Sequence, residues 1–125
     1  MQKKYAPAVA IYMVYIREAH PTDGRQVTAN TKEEILFTQP TTLTERTAIA
    51  ETMCTKLNLT LPCLIDGLDN QVATDYASWP DRMYVVGIDG KIVYKGAPGP
   101  AGFKPAEVTA ALDKYIPTLL LPAKD

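Results

Sequence analysis

Apolar residues run almost unbroken from Val9 to Ile16, VAIYMVYI, β-branched and aromatic without clean alternation. That pattern predicts a strand buried on both faces of a parallel sheet. Residues 17–24, REAHPTDG, end it, since Pro21 and the Asp23-Gly24 pair are turn punctuation. Residues 25–41 are polar and poorly periodic, with ILFTQP as a short extended piece, so 17–41 reads as a loop insertion. Thr42 followed by Glu45 is a capping-box pattern that opens a helix to Leu57. Ile49, Met53 and Leu57 share one face of it with Ala50 and Cys54, and Asn58 closes it. Leu61–Ile65 predicts a short strand. Asp69 then caps a second helix through about Ser78, with Val72 and Tyr76 facing inward.

Two β-rich runs, 82–88 and 91–95, flank Asp89-Gly90 and predict a tight hairpin with a primed turn. Residues 96–102, GAPGPAG, form a loop. Pro105 opens a last helix with Glu107 near its positive end. Val108, Ala111, Leu112 and Tyr115 are its apolar stripe, Pro117 ends it, and 116–125 is a tail whose three leucines need cover. The order β, loop, α, β, α, hairpin, α describes an α/β domain with a mixed sheet and flanking helices. Trp79-Pro80 just before the hairpin resembles the cis-proline of thioredoxin folds, and an aromatic residue before proline raises the cis fraction.

Composition narrows the function. The chain has 125 residues, one domain's worth, with 46% hydrophobic and 22% charged residues, so it is globular. Thirteen basic against fourteen acidic residues argue against an electrostatic nucleic-acid binder. Two cysteines exclude a disulfide scaffold, and with a single histidine they make no zinc site, so no metal is expected. The apolar run 8–16 is too short to span a bilayer and leads into Arg17-Glu18-Ala19-His20 without a small-x-small cleavage site. No membrane association and a cytoplasmic location follow as expectations. Asn58-Leu59-Thr60 matches a glycosylation sequon by chance.

Four blocks in order carry a resemblance. Val14 to Gly24, VYIREAHPTDG, is similar to V-Y-I-E-E-A-H-x-S-D-G. Cys63-Leu-Ile-Asp66 is similar to C-P-V-V-x-D. Residues 76–84, YASWPDRMY, are similar to Y-x-A-x-P-E-R-L-Y, and 94–103, YKGAPGPAGF, to Y-K-G-G-P-G-P-W-G-Y. Over about residues 8–115 the chain resembles the iodothyronine deiodinase family, within the thioredoxin-like redoxins. Arg17, Arg25, Asp81 and Ala101 depart from the family pattern, and the loss of two tryptophans, at 25 and 101, points away from thyroid hormone itself.

The resemblance implies a thiol- or selenol-dependent oxidoreductase, acting on a halogen, peroxide or disulfide, with an external thiol as reductant and no bound cofactor. It also implies that the nucleophile, cysteine or selenocysteine in an S-x-T-[U/C]-P-P turn, lies upstream of residue 8. The chain is then expected to be a fragment, a thioredoxin-like mixed sheet incomplete at its N-terminus, supplying the substrate-binding half. A UGA codon read as a stop would give such a start. The strand missing from this picture lies between the one at 9–16 and the one at 82–88, which leaves a gap in the sheet. The alternative is a shortened, non-catalytic binding or interaction module that pairs its open edge with another chain or a second copy.

In the resemblance His20 contacts a small-molecule or thiol substrate and moves a proton, a task suited to imidazole. Arg82 clamps a substrate carboxylate, which suits its planar fork. Tyr76, Glu18 and Asp23 line or orient the site, and Pro80 shapes its wall. Taken without the resemblance, His20 is a loop residue bonded to backbone, Arg82 a surface ion-pair partner, Tyr76 core, and Glu18 and Asp23 solvated carboxylates. Cys54 and Cys63, nine residues apart on a helix and the next strand, are inert small hydrophobes or a resolving redox pair.

Overall fold

A computed structural model describes residues 1–32 and 36–119. It is a mixed α/β structure, consistent with a thioredoxin-like fold, and its chain divides into two compact units, Ile11–Trp79 and Met1–Ala10 with Pro80–Asp125.

The unit Ile11–Trp79 holds β1 (Met13–Tyr15), α1 (Thr28–Lys32), α2 (Leu43–Lys56), β2 (Cys63–Ile65) and α3 (Gln71–Asp75). β1 and β2 pair in parallel, Met13 opposite Cys63 and Tyr15 opposite Ile65. Tyr15 is buried, but Val14 is 38% exposed and Tyr12 58%. The strand is therefore shorter than 9–16 and buried on one face only. A two-stranded sheet with α2 on it has one covered face, so the unbroken apolar run overstated its burial. Of ILFTQP, Ile35 lies outside the described residues, and Leu36–Pro40 form no strand; the backbone is held instead by Thr22 N–H donating to Phe37 O at 2.8 Å.

α2 begins as expected. The Thr42 hydroxyl accepts from Glu45 N–H at 3.1 Å, and the Glu45 carboxylate accepts from Thr42 N–H at 3.2 Å and Thr41 N–H at 2.8 Å. These bonds hold the Glu45 carboxyl below its ordinary pKa. Leu57 ends the helix and Asn58 follows at φ +49°, the left-handed residue that stops many helices. The inward face carries Ala50, as expected, but also Arg46, which is only 2% exposed.

Asp66 closes β2 at 1% exposure. Its carboxylate accepts from Val72 N–H and Ala73 N–H, both at 3.0 Å. The cap of α3 is thus Asp66 rather than Asp69, whose Oδ1 reaches only Gln71 N–H at 3.3 Å. A carboxylate at a helix start satisfies donors that have no partner inside the helix. α3 is also shorter than expected, and its buried residue is Ala73, with Val72 36% and Tyr76 40% exposed. Arg46 completes the arrangement. Its Nη1 donates to the carbonyls of Asp66 at 3.0 Å and Gly67 at 2.6 Å, and its Nη2 to Asn70 Oδ1 at 3.0 Å.

The second unit holds α0, the short helix Gln2–Tyr5, then β3 (Tyr84–Val86), β4 (Ile92–Lys95) and α4 (Pro105–Leu119). β3 and β4 are antiparallel, with a register irregularity at Val85/Val86. Gly90 lies at φ +77° and donates to Gly87 O, while Gly87 N–H donates to Lys91 O. This is a three-residue loop, Ile88 to Gly90, with glycine in the left-handed third position, not a primed turn. Tyr5, Val85, Val108 and Leu112 form the core, with Val9, Met83, Tyr94 and Ile116 packed against it. Each fully buried aliphatic side chain contributes about 1.5–3 kcal/mol. The Tyr5 hydroxyl lies 2.6 Å from Asp113 Oδ1, beside the exposed Lys4–Asp113 ion pair at 2.8 Å.

α4 runs through Pro117 instead of ending there. Proline forfeits one bond to the preceding turn but keeps helical φ, so in a last turn it is tolerated. Residues 120–125 of the expected tail lie outside the described residues. The cis peptide bond among the described residues is Gly99–Pro100, so Pro80 is not a cis-proline. The trans form is the default for an X-Pro bond, and an aromatic neighbour shifts that balance only slightly.

The cap assignment is directly testable. Asp66→Ala removes the charged acceptor of two buried donors and should cost about 2–4 kcal/mol in denaturant unfolding. Asp69→Ala should leave the unfolding midpoint nearly unchanged. Equal losses would contradict the assignment.

Candidate functional site

The loop after β1 is held by side chains that bond its backbone. Glu18 N–H donates to Gln39 Oε1 at 3.0 Å, and Gln39 Nε2 donates to Glu18 O at 3.2 Å. Gln39 N–H donates to Asp23 Oδ1 at 2.9 Å. Glu18 and Asp23 are thus brought to one residue, and the position of Asp23 is set by the returning chain. Gln26 Nε2 donates to His20 O at 3.1 Å and also bonds Pro21 O.

His20 is half-buried, with Nδ1 3.0 Å from Arg25 O. A carbonyl only accepts, so Nδ1 carries the hydrogen and neutral His20 is the Nδ1–H tautomer. Nε2 is then a bare acceptor, with no bonding partner among the described residues. An imidazole fixed at one nitrogen by backbone and open at the other is arranged to take or give a proton. Glu18 is half-buried, and burial raises its carboxyl pKa, while the positive Arg46 partly opposes the shift.

Tyr76 closes α3 and is 40% exposed, so it is not core. A groove of about 370 Å³ in the same unit is lined by Arg17, Asp69, Asn70, Thr74, Ala77 and Trp79. The Arg17 guanidinium lies 5.1 Å from the Trp79 ring centre, a cation–π contact. Cys54 and Cys63 are both free thiols, and they lie near enough for Cys54 to raise the pKa of Cys63.

Pro80 and Arg82 belong to the other unit. Arg82 is half-buried just before β3, and its Nε is buried without a hydrogen-bond partner among the described residues. The neighbouring Asp81 Oδ1 is in the same condition. The Asp81 carboxylate packs on Gly99, where an added Cβ would overlap it, and Asp81 O accepts from Gly99 N–H at 2.9 Å. The loop 96–102 is therefore shaped around Asp81.

Among the described residues no group of three or more His, Cys, Asp and Glu is placed to hold a metal, and no helix is long and apolar enough to cross a membrane.

Comparison with known proteins places the chain. The model of the iodothyronine deiodinase family matches residues 1–116. The chain belongs to the iodothyronine deiodinase family. It is 33% identical over 102 residues to the type I iodothyronine deiodinase of Xenopus laevis, covering 82% of this chain and 38% of that protein. It is 36% identical over 107 residues to the thyroxine 5-deiodinase of Aquarana catesbeiana, covering 82% and 36%. With the thyroxine 5-deiodinase of Homo sapiens the identity is 30% over 115 residues, covering 90% and 35%. The chain thus spans well under half the length of these relatives.

Sequence reading missed Gln39, Gln26 and Arg46. Gln39 and Gln26 had no pattern to mark them, because they act by bonding loop atoms, Gln39 across 16–21 residues and Gln26 within its own loop. Arg46 was hidden by its charge, and only its place on the apolar face of α2, four residues before Ala50, signals burial.

Two outcomes follow. Nitrogen-15 spectra of the His20 ring should show Nδ1 protonated in the neutral form; an Nε2–H tautomer would contradict the Arg25 bond. The native Glu18 carboxyl holds its proton to higher pH than the unfolded one, so stability falls as pH rises from the ordinary carboxylate range through the raised native value. Glu18→Gln should therefore raise the unfolding midpoint near pH 7 and leave it unchanged near pH 4. A uniform shift at both would refute it.

Proposed function

We propose that this chain supplies the substrate-binding part of a deiodinase-family thiol- or selenol-dependent oxidoreductase. The observation that carries the reading is the His20 ring, held through Nδ1 by Arg25 O with Nε2 left open, in a chain of this family. His20 accepts a hydrogen bond from, or donates a proton to, the phenol-like oxygen of a halogenated aromatic substrate. In the other unit, Arg82 has a buried donor with no hydrogen-bond partner among the described residues, which suits an anionic group such as a carboxylate. Glu18 and Asp23 shape the His20 loop through Gln39, and Tyr76 adds an exposed aromatic surface. The nucleophile, cysteine or selenocysteine, is not among the residues assigned here, and an external thiol regenerates it. Reduction of a carbon–halogen bond is the preferred reaction, with peroxide or disulfide reduction as the related chemistries. The proposed location is the cytoplasm, where thiol reductants are abundant.

A second reading, an interaction module, is favoured by the sheets. Met13 N–H donates to Pro62 O and Asp66 N–H donates to Tyr15 O, so Met13 and Tyr15 turn their backbone groups to β2. Val14 between them turns its groups to the opposite edge. An edge of this kind pairs with another strand, here that of a second copy.

Titration calorimetry with 3,5-diiodotyrosine, a halogenated phenol with a carboxylate, tests the first reading. His20→Ala should weaken binding about tenfold, the worth of roughly 1.4 kcal/mol. Binding that ignores this substitution would sink it. For the second reading, sedimentation should show a dimer that a Val14→Pro substitution dissociates; a monomer at all concentrations rules it out.

A further inference from the structure

Two thiols meet where α2 returns to β2. Cys54 lies in the last turn of α2, and Cys63 is the first residue of β2. α2 packs on β2, and the connection between them is pinned at both ends, by Leu59 N–H to Cys54 O at 2.9 Å and by Met13 N–H to Pro62 O at 3.0 Å. The Cys54 thiol is close enough to perturb that of Cys63, whose Sγ also lies 3.8 Å from Leu64 O; both are free, and both are half-buried rather than sealed. Neither touches the His20 loop in any described bond, so the proposed function leaves them without a role.

We propose that Cys54 and Cys63 form an internal dithiol/disulfide couple that exchanges with low-molecular-weight disulfides of the glutathione class. The exchange balances in two steps. One protein thiol loses its proton, and its sulfur attacks the small disulfide, forming a mixed disulfide and releasing one small thiolate, which takes a proton. The second protein sulfur then attacks the first, closing Cys54–Cys63 and releasing the second small thiolate, which takes the other proton. Two electrons pass from the protein to the small disulfide, and two small thiols are the products. An excess of the small thiol runs the sequence backward.

Burial, and then the neighbouring Cys54, push the Cys63 thiol up to about 11. The bond closes a short loop between a helix end and a strand start that already lie together, so little rearrangement of the backbone accompanies it. The inference stands on this contact alone and does not depend on the His20 reading.

The test uses the whole chain incubated with oxidised glutathione. Trypsin cuts after Lys56, which separates residues 47–56 from 57–82, so an internal disulfide joins two peptides that are otherwise independent. The expected result is loss of both free thiols per chain, a mass lower by two hydrogens, and the joined peptide pair in a protein that remains monomeric by this bond. Reduced glutathione in excess should restore both thiols. Cys63→Ser and Cys54→Ser should each trap one glutathione per chain on the thiol that remains. Two persistent thiols, glutathione on both cysteines at once, or disulfides only between molecules would overturn the proposal.

Discussion

The unit Ile11–Trp79 depends on a buried pair of charged side chains that hardly address each other. Arg46 spends its donors on carbonyls at the end of β2 and on Asn70, while Asp66 spends its acceptors on the first donors of α3. Burying either group without partners would cost several kcal/mol. Burying both with partners spread over three elements fixes how α2, β2 and α3 meet. The strands are only three residues long and the apolar core of this unit is small, so polar bonds do the positioning that packing does elsewhere. The His20 loop follows from that arrangement, because β1 takes its register from β2 and the loop leaves from the end of β1.

The His20 imidazole has its hydrogen assigned by a backbone carbonyl, that of Arg25. The hold on that loop comes from neutral amides, Gln26 and Gln39, rather than from ion pairs. Amide bonds of this kind do not change with salt, and they leave the charge of Glu18 and Asp23 free to act on whatever enters.

Local signals in the sequence were read well. The Thr42–Glu45 box, the helix stop at Asn58, the pairing of β3 with β4 and the stripe Val108–Leu112 all depend on residues within one helical turn or one hairpin, although the hairpin's loop is not the primed turn expected. The family blocks were legible too, and the family match bears them out. The failures share a cause. Asp66 won the cap from Asp69 because β2 delivers its end onto the α3 amides, a fact of tertiary placement. Val14 and Val72 are exposed because a two-stranded sheet and a five-residue helix have too little surface to cover them. The His20 tautomer, the Gln39 ties and the meeting of Cys54 with Cys63 are contacts that no periodicity encodes.

The two units differ in how the chain reaches them. Ile11–Trp79 is one unbroken stretch, whereas the core of the other joins Tyr5 to Val108 and Leu112 across more than a hundred residues. During synthesis on a ribosome the first can close as soon as Trp79 has emerged, because every partner it needs is already made. Tyr5 must wait, solvent-exposed, until α4 arrives. Tyr5 is thus made long before the residues that bury it, and any chaperone or protease that surveys the growing chain meets it bare.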